Sequence, residues 1–499
     1  MNSAPTRGRL QRKCSAMDTI KIHDYIACEL HKEIGELERR IAALDAAGAG
    51  RSSCLSYKMK ELYWTVTRLV GLGHLHEGRT PQELTIANSR RDPQLFPAGA
   101  RLPLDGVTAE PGQRLLIDVT DTVRCSFVSG IQRVVRQLAK ATMESGAGIP
   151  VFVQDGELFS YVRQSSRPDR IEVAKGDKFV MADAAWNDVA GSRKAMETTS
   201  RNGGSNIVIL HDIHPLLYPG LFHPDNVRNF AIWFDEVASK CDALVAVSKS
   251  AAQEFSSYVA ANGKRVNPRM RIGWQHLGAD FDIESNEAPS EPIGAICAGE
   301  TPLFLSVSTL EPKKGYAVAL DAFDRLWERG VDVRYVIVGR HGWNTRALER
   351  RILSHREYDK RLFWVGQVSA VDLGHLYKNA HSLIFASVAE GFGLPLVEAA
   401  HFGLPAIASD IPVFREVGGD SVSYFDVTDG ESLARRIRES LAYRRSAEKL
   451  PRVRRWREAT DDLLKLIRTN AYQFGSDAPP LRASLAQDVS ERPSVTRAA

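Results

Sequence analysis

Apolar and polar positions along this chain follow one period in the first eighty residues and another from Arg114 onward. From about Ile20 to Leu44, the residues Ile26, Leu30, Ile34, Leu37, Ile41 and Leu44 recur every three or four positions, the stripe of a long amphipathic helix. DAAGAGRSS breaks it, and a second helical pattern carries Leu62, Val66, Leu69 and Val70, so residues 1–80 are expected to form a helical hairpin extension. Its heptad-like portion is shorter than the three or four repeats that argue for a coiled coil. That leaves the hairpin open to two uses, packing on its own chain or an oligomer or partner contact. Residues 81–113 continue a Pro, Gly and Arg-rich run and read as a linker.

Then short apolar runs alternate with amphipathic stretches. RLLIDVT reads as a strand and GIQRVVRQLAKATMES as a helix. Strand patterns return at PVFVQ, KFVMAD, NIVILHD and ALVAVS, with helical patterns at Asp225 to Ser239 and Lys249 to Ala261. Asn286 to Gly299 reads as a hinge, and a second set follows at LFLSVS, VRYVIVG, RLFWVG, SLIFAS and PAIAS. Such alternation predicts parallel sheets covered on both faces. The expected class is α/β, with two doubly wound Rossmann-like domains at 114–285 and 300–455 facing a cleft. A further helix at 456–472 and a polar, disordered tail at 473–499 complete the expectation.

Composition narrows the class without naming a chemistry. The 499 residues are 43% apolar and 25% charged, ordinary for soluble globular chains. No apolar run approaches the roughly 18 residues of a membrane span. The basic start MNSAPTRGRLQRKC is followed by no apolar signal core, and six cysteines lack C-x-x-C spacing, which suits reduced, buried thiols. A cytoplasmic or membrane-peripheral protein is expected. The net charge of +4 is uneven: Arg435 to Arg457 holds ten Lys/Arg against two Glu, or +8, leaving −4 elsewhere. Because the basicity is local, no nucleic-acid partner is expected. Within that segment ESLARRIRESLAYRR places Leu433, Ile437 and Leu441 opposite its arginines, either a helix with a solvated basic face or one lying on anionic lipid.

The stretch SVAEGFGLPLVEAA, Ser387 to Ala400, carries the strongest chemical signal. A buried strand pattern runs into a glycine loop, and Pro395 suits the first turn of a following helix. The free amides of that helix start point toward the strand's carboxyl end, a place for phosphate. Glu398 lies about one turn into the helix and Glu390 in the loop. Two carboxylates repel a diphosphate, so they must accept from hydroxyls, on a ribose and on a sugar. A glycine turn with two solvated glutamates is the plain alternative.

This E-x7-E spacing resembles the donor site of retaining family-4 glycosyltransferases of the GT-B fold, most like bacterial mannosyltransferases of surface-polysaccharide assembly. The resemblance implies that Glu398 holds ribose hydroxyls, that Glu390 lies at the donor sugar, and that the amides of Gly391, Phe392, Gly393 and Leu394 face the phosphates. It makes STLEPKKG the donor-phosphate loop, with Lys314 in the basic position before glycine. Many relatives carry Arg where Thr309 stands, and Lys313 is the substitute. VIVGRHGW, with Gly339, and FWVGQVS, with Gly366 to Val368, resemble the base-side loops. VSGIQRVVR resembles the family's Gly-Gly-Ile-x-Arg loop, which carries over Gly130 and Arg133, with Ser129 replacing the first glycine. ILHDIHPLLYP places His211 beside the donor sugar, while His214 and His223 read as surface or acceptor-side residues.

A metal site at His211, Asp212 and His214 is not expected, because side chains after a strand need not converge. RVRRWREATDDLLKLI resembles the family's closing helix, which crosses back to the first domain with Trp456 as its anchor. The implied activity needs no cofactor: a hexosyl unit, mannosyl first, moves with retention from a nucleoside-diphosphate sugar, GDP-mannose first, to a saccharide or lipid-linked saccharide. UDP-sugars stay open, as do a sugar-nucleotide epimerase of the same fold and a non-catalytic binding scaffold.

Overall fold

The structure, a computed structural model, describes residues 110–125, 129–161, 169–280, 288–442 and 453–473. The expected helical hairpin, nearly all of the linker and the tail beyond 473 lie outside the described residues.

The first half builds one seven-stranded sheet from β1 (Leu115–Asp118), β2 (Gly148–Gln154), β3 (Glu157–Ser160), β4 (Lys178–Met181), β5 (Ser205–Leu210), β6 (Ala243–Ala246) and β7 (Arg271–Trp274). Their order is β3-β2-β1-β4-β5-β6-β7, parallel except for the β2–β3 hairpin. The second half builds a six-stranded, wholly parallel sheet from β8 (Leu303–Val307), β9 (Arg334–Val338), β10 (Leu362–Trp364), β11 (Ser382–Phe385), β12 (Ala406–Ser409) and β13 (Ser423–Phe425), in the order β10-β9-β8-β11-β12-β13. Each sheet runs outward both ways from its opening strand, so each has a switch point beside it, at β1/β4 and at β8/β11. Two Rossmann-like units of this kind are the GT-B arrangement.

The runs that predicted strands are continuous because both faces are covered. Along β1, Leu115 and Ile117 join one apolar cluster and Leu116 the other, the two-residue alternation of a strand buried on both sides. β8 does the same, with Leu303 and Leu305 on one side and Phe304 on the other. One cluster contains residues of both sheets, including Ile117, Ile209, Leu305 and Leu383.

Three strands lie outside the expectation: β3, β7 and β13, of three or four residues each. β3 has a legible signal, since Asp155 and Gly156 both take positive φ in the turn before it, as a tight hairpin requires. The expected hinge from Asn286 to Gly299 holds a helix, Glu291–Cys297, with Ile293 and Ile296 buried. Its Pro292 starts the helix instead of breaking it. The helix Trp456–Thr469 packs on the first half: Lys178 Nζ donates to the Ile467 carbonyl at 2.5 Å, and Trp456 N–H donates to Asp280. In the helix Gly430–Ala442, Leu433 and Ile437 are fully buried against Tyr316–Glu328, so the apolar face is taken up by the core.

Candidate functional site

β11 ends at Phe385, and the chain turns through Ser387–Gly393 into the helix Leu394–His401. Gly393 caps that helix with φ of +103°, a left-handed conformation that glycine adopts without strain. The loop after β8 lies directly on this turn. Val388 N–H donates to the Lys313 carbonyl at 2.8 Å, and a Cβ on Gly315 would stand 1.9 Å from the Ala386 carbonyl oxygen. Only glycine allows that approach. The short turn Pro312–Lys314 thereby delivers two lysines to the switch point.

The charged groups there are tightly matched. Lys314 Nζ lies 2.5 Å from Glu390 Oε1, which also accepts from Ser387 Oγ at 2.7 Å. Burial tends to raise the Glu390 carboxyl, but Lys314 and Lys313 outweigh it and hold the group below its ordinary value. Burial likewise opposes the Lys313 charge, and the fields of Asp212, Glu390 and Glu311 more than restore it. The Lys313 ammonium sits 5.0 Å from the centre of the Phe222 ring, contributed by the first half. Glu398 is 3% exposed; its Oε2 accepts from Tyr377 at 2.7 Å and its Oε1 pairs with Arg133 of the first half. A carboxylate has about four lone-pair positions, so these two partners leave acceptor capacity for a hydroxyl.

The first half closes over the same loop. A Cβ on Gly391 would stand 1.8 Å from the His211 carbonyl oxygen and 3.3 Å from Asp212 Cβ. Ser248 Oγ donates to the Gly391 carbonyl at 2.6 Å. Glu416 accepts from the Lys249 and Ser250 amides at 2.7 and 2.8 Å, capping the helix Lys249–Ala261 from the opposite half, and lies 2.7 Å from His276 Nε2. Gly130 opens the helix Gly130–Glu144 with Leu394 Cδ1 3.6 Å from where its Cβ would be. Two helix N-termini therefore lie beside Lys313 and Lys314, where their free amides add anion-binding capacity to lysines whose charge the neighbouring carboxylates offset.

Residues 297–459 match the family model described as "Glycosyl transferases group 1". The chain carries a group 1 glycosyltransferase domain. It is 33% identical over 379 residues to the serotype-specific mannosyltransferase WbdA of Escherichia coli, an alignment covering 71% of this chain and 45% of that protein. The chain thus spans less than half the length of this relative. A phosphatidyl-myo-inositol mannosyltransferase of Mycobacterium tuberculosis is 33% identical over 155 residues, 29% of this chain and 39% of that one. The solved sucrose-phosphate synthase from Thermosynechococcus elongatus aligns with a TM-score of 0.50 at 15% identity, over 76% of this chain and 99% of that one, a likeness of fold.

The glycosyltransferase domain contributes Lys313, Lys314, Glu390, Gly391, Gly393 and Glu398 to one crevice. Phe392 is 4% exposed and packs 5.5 Å from the His276 ring, so only its backbone is available there. Gly339, after β9, lies against the neighbouring loop, its would-be Cβ 1.8 Å from the Ser308 carbonyl oxygen. Gly366 and Val368 follow β10 at the sheet's edge, with open space beside Gly366 and Val368 half-buried against the core. His211 lies at the end of β5 with Nε2 2.8 Å from the Ala182 carbonyl oxygen, and burial holds its pKa below the ordinary value, favouring neutral imidazole.

His214 narrows a sequence expectation. Of the two places expected for it, surface or acceptor-side, its 1% exposure excludes the surface, because Pro215 and the helix His214–Leu217 turn it inward. His223 is exposed and meets Trp343 of the other half edge-on at 6.1 Å. His211 and His214 have separate partners and do not converge. Sequence reasoning does not single out Tyr377, Phe222, Glu254 or Glu416, whose roles arise from distant partners. Asp212, by contrast, stands in the HDIH pattern.

Proposed function

We propose that the protein is a retaining hexosyltransferase that moves a sugar, mannosyl first, from a nucleoside-diphosphate sugar to a saccharide or lipid-linked saccharide in polysaccharide assembly. The observation that carries this is the crevice at β8/β11, where two lysines and two helix N-termini meet two carboxylates. Cations and amides suit the diphosphate; Glu398 suits ribose hydroxyls and Glu390 the donor sugar. Similarity to mannosyltransferases supports mannose, with GDP-mannose the first donor to try. The matched family and relatives are transferases, which favours transfer over epimerisation.

In the reaction so read, the bond from C1 of the sugar to the diphosphate oxygen breaks while the acceptor oxygen bonds C1 on the same face. The acceptor proton passes to the departing phosphate, and the nucleoside diphosphate leaves. Lys313, Lys314 and the helix amides are fixed where charge grows, so they stabilise the transition state more than the ground state. The acceptor approaches from the first half.

Contact with an anionic membrane through Arg435 to Arg457 belongs to the same proposal as an electrostatic contact only, since Leu433 and Ile437 face the core. Residues 443–452 of that segment lie outside the described residues. Among the described residues no helix is long and apolar enough to cross a membrane.

Incubation with a panel of nucleotide sugars and saccharide acceptors tests the reading. Free nucleotide with a glycosylated acceptor is expected. An isomerised nucleotide sugar, or binding without turnover, overturns it.

A further inference from the structure

A hydroxyl of the first half reaches the backbone of the crevice's glycine loop. Ser248 follows β6 and is fully buried. Its one O–H donates to the Gly391 carbonyl at 2.6 Å, and its oxygen accepts from the Ala251 N–H at 3.0 Å, capping the helix Lys249–Ala261. The same turn is tied to the second half beside it. Glu416, on the helix Pro412–Gly418, accepts from the Lys249 and Ser250 amides and, at 2.6 Å, from Ser250 Oγ. Ser248 therefore meets the loop from a fixed place.

The bond to Gly391 sets the direction of a peptide group. A trans peptide sends its carbonyl and its N–H opposite ways, so with the Gly391 carbonyl turned to Ser248 the Phe392 N–H points away from that hydroxyl. Among the described residues, no protein acceptor takes the Gly391, Phe392 or Gly393 amide. The loop does not hold this direction by itself. The approach of His211 requires glycine at 391, since a Cβ there would stand 1.8 Å from the His211 carbonyl oxygen. Glycine brings backbone freedom with it, and the peptide that follows can rotate unless something outside the loop pins it.

We propose that Ser248 is a positioning residue of the donor site: by holding the Gly391 carbonyl it fixes the Phe392 amide toward the diphosphate of the bound nucleotide sugar. The amide makes the contact, and Ser248 acts through it. This rests on the reading of the crevice as a nucleotide-sugar site, and it makes that site depend on a side chain of the opposite half. An N–H fixed before the reaction stabilises the charge that grows on the departing diphosphate, so loosening it should show in kcat more than in donor KM.

Donor kcat and KM by steady-state kinetics, and GDP and UDP affinity by calorimetry, are to be measured on the full chain for wild type, Ser248→Gly, Ser248→Ala and Ser248→Thr. The first two variants both remove the hydroxyl, but a helix N-cap tolerates glycine far better than alanine. Ser248→Gly and Ser248→Ala should therefore lower kcat alike, by about tenfold, less than the loss of an oxyanion donor outright because the amide is still present. Both should weaken GDP or UDP binding severalfold. Ser248→Thr keeps the hydroxyl and should stay within about twofold of wild-type kcat. Should Ser248→Gly fail to fold by circular dichroism, Ser248→Cys, close in size and only a weak donor, takes its place. A folded Ser248→Gly with kcat and diphosphate affinity within about twofold of wild type, and losses confined to Ser248→Ala, means that Ser248 only caps its helix. That result overturns the proposal and leaves the transferase reading in place, as does a folded Ser248→Thr that turns over no faster than Ser248→Gly. Wild type that binds neither diphosphate nor any nucleotide sugar removes both.

Discussion

The switch points of the two sheets hold different charged groups: lysines paired with carboxylates at one, aspartates at the other. Between β8 and β11 lie Lys313 and Lys314 with two helix N-termini; between β1 and β4 lie Asp118 and Asp183, with Asp121, Asp188, Asn187 and Arg124 around them. Both arise from the same strand order around an opening strand. Topology supplies the crevice, and the residues at the strand ends decide what enters it. Burial pushes Asp118 up to about 6, and burial together with the neighbouring Asp118 pushes Asp183 up to about 7. In the proposed reading the diphosphate sits at β8/β11, and the aspartates at β1/β4 offer acceptors to hydroxyl groups.

The comparison breaks most visibly in kinetics. Lys314→Ala should lower kcat by about 10²-fold or more, the scale of losing a fixed electrostatic contact to a leaving group. Glu390→Ala should also lower kcat, through lost orientation of the donor sugar. Glu398→Ala should instead raise the donor KM more than it lowers kcat, since a ribose contact is shared by ground and transition states. Asp118→Asn, at β1/β4, should leave the donor KM within about twofold. Steady-state kinetics on folded variants decides it; near-wild-type turnover in Lys314→Ala and Glu390→Ala would falsify the assignment of the β8/β11 crevice.

A smaller effect separates the crevices by pH. Asp118 and Asp183 titrate at about 6 and about 7 when folded, above their ordinary 3.8, so the folded chain keeps protons that the unfolded chain releases. Their contribution to stability is therefore greatest below about pH 4 and declines as pH rises toward 7. Asp118→Asn keeps the acceptor for the Thr120 amide and hydroxyl and should flatten this slope in melting temperature between about pH 4 and 7. An unchanged slope would mean that Asp118 is not the group responsible. His214 titrates far higher: its folded value of about 9 lies above 6.5, so its contribution is complete below about pH 6.5 and lost as pH rises through 9.

The smallest expected effect is that of chelation. If lysines and helix amides neutralise the diphosphate, EDTA should leave transfer nearly unchanged. Activity lost on chelation and restored by Mg²⁺ or Mn²⁺ would assign that work to a metal instead.

The sequence by itself determined the local frame. Apolar runs mark ten of the thirteen strands among the described residues, because a strand buried on both faces must be apolar throughout. Glycines and Pro395 mark the turn into Leu394–His401, and the two glutamates of E-x7-E fall on either side of it. These are properties of neighbouring residues, so a linear reading reaches them. Only the tertiary structure decided which charges meet. Arg133 and Glu398 are 265 positions apart, and Glu416 caps a helix 166 positions away. The same holds for Phe222 beside Lys313 and for the burial of His214 between Asp212 and Glu254, which an expectation of a surface or acceptor-side residue does not contain. Side-chain pairing across the cleft depends on how two independently patterned halves pack, and no local period in the chain records it.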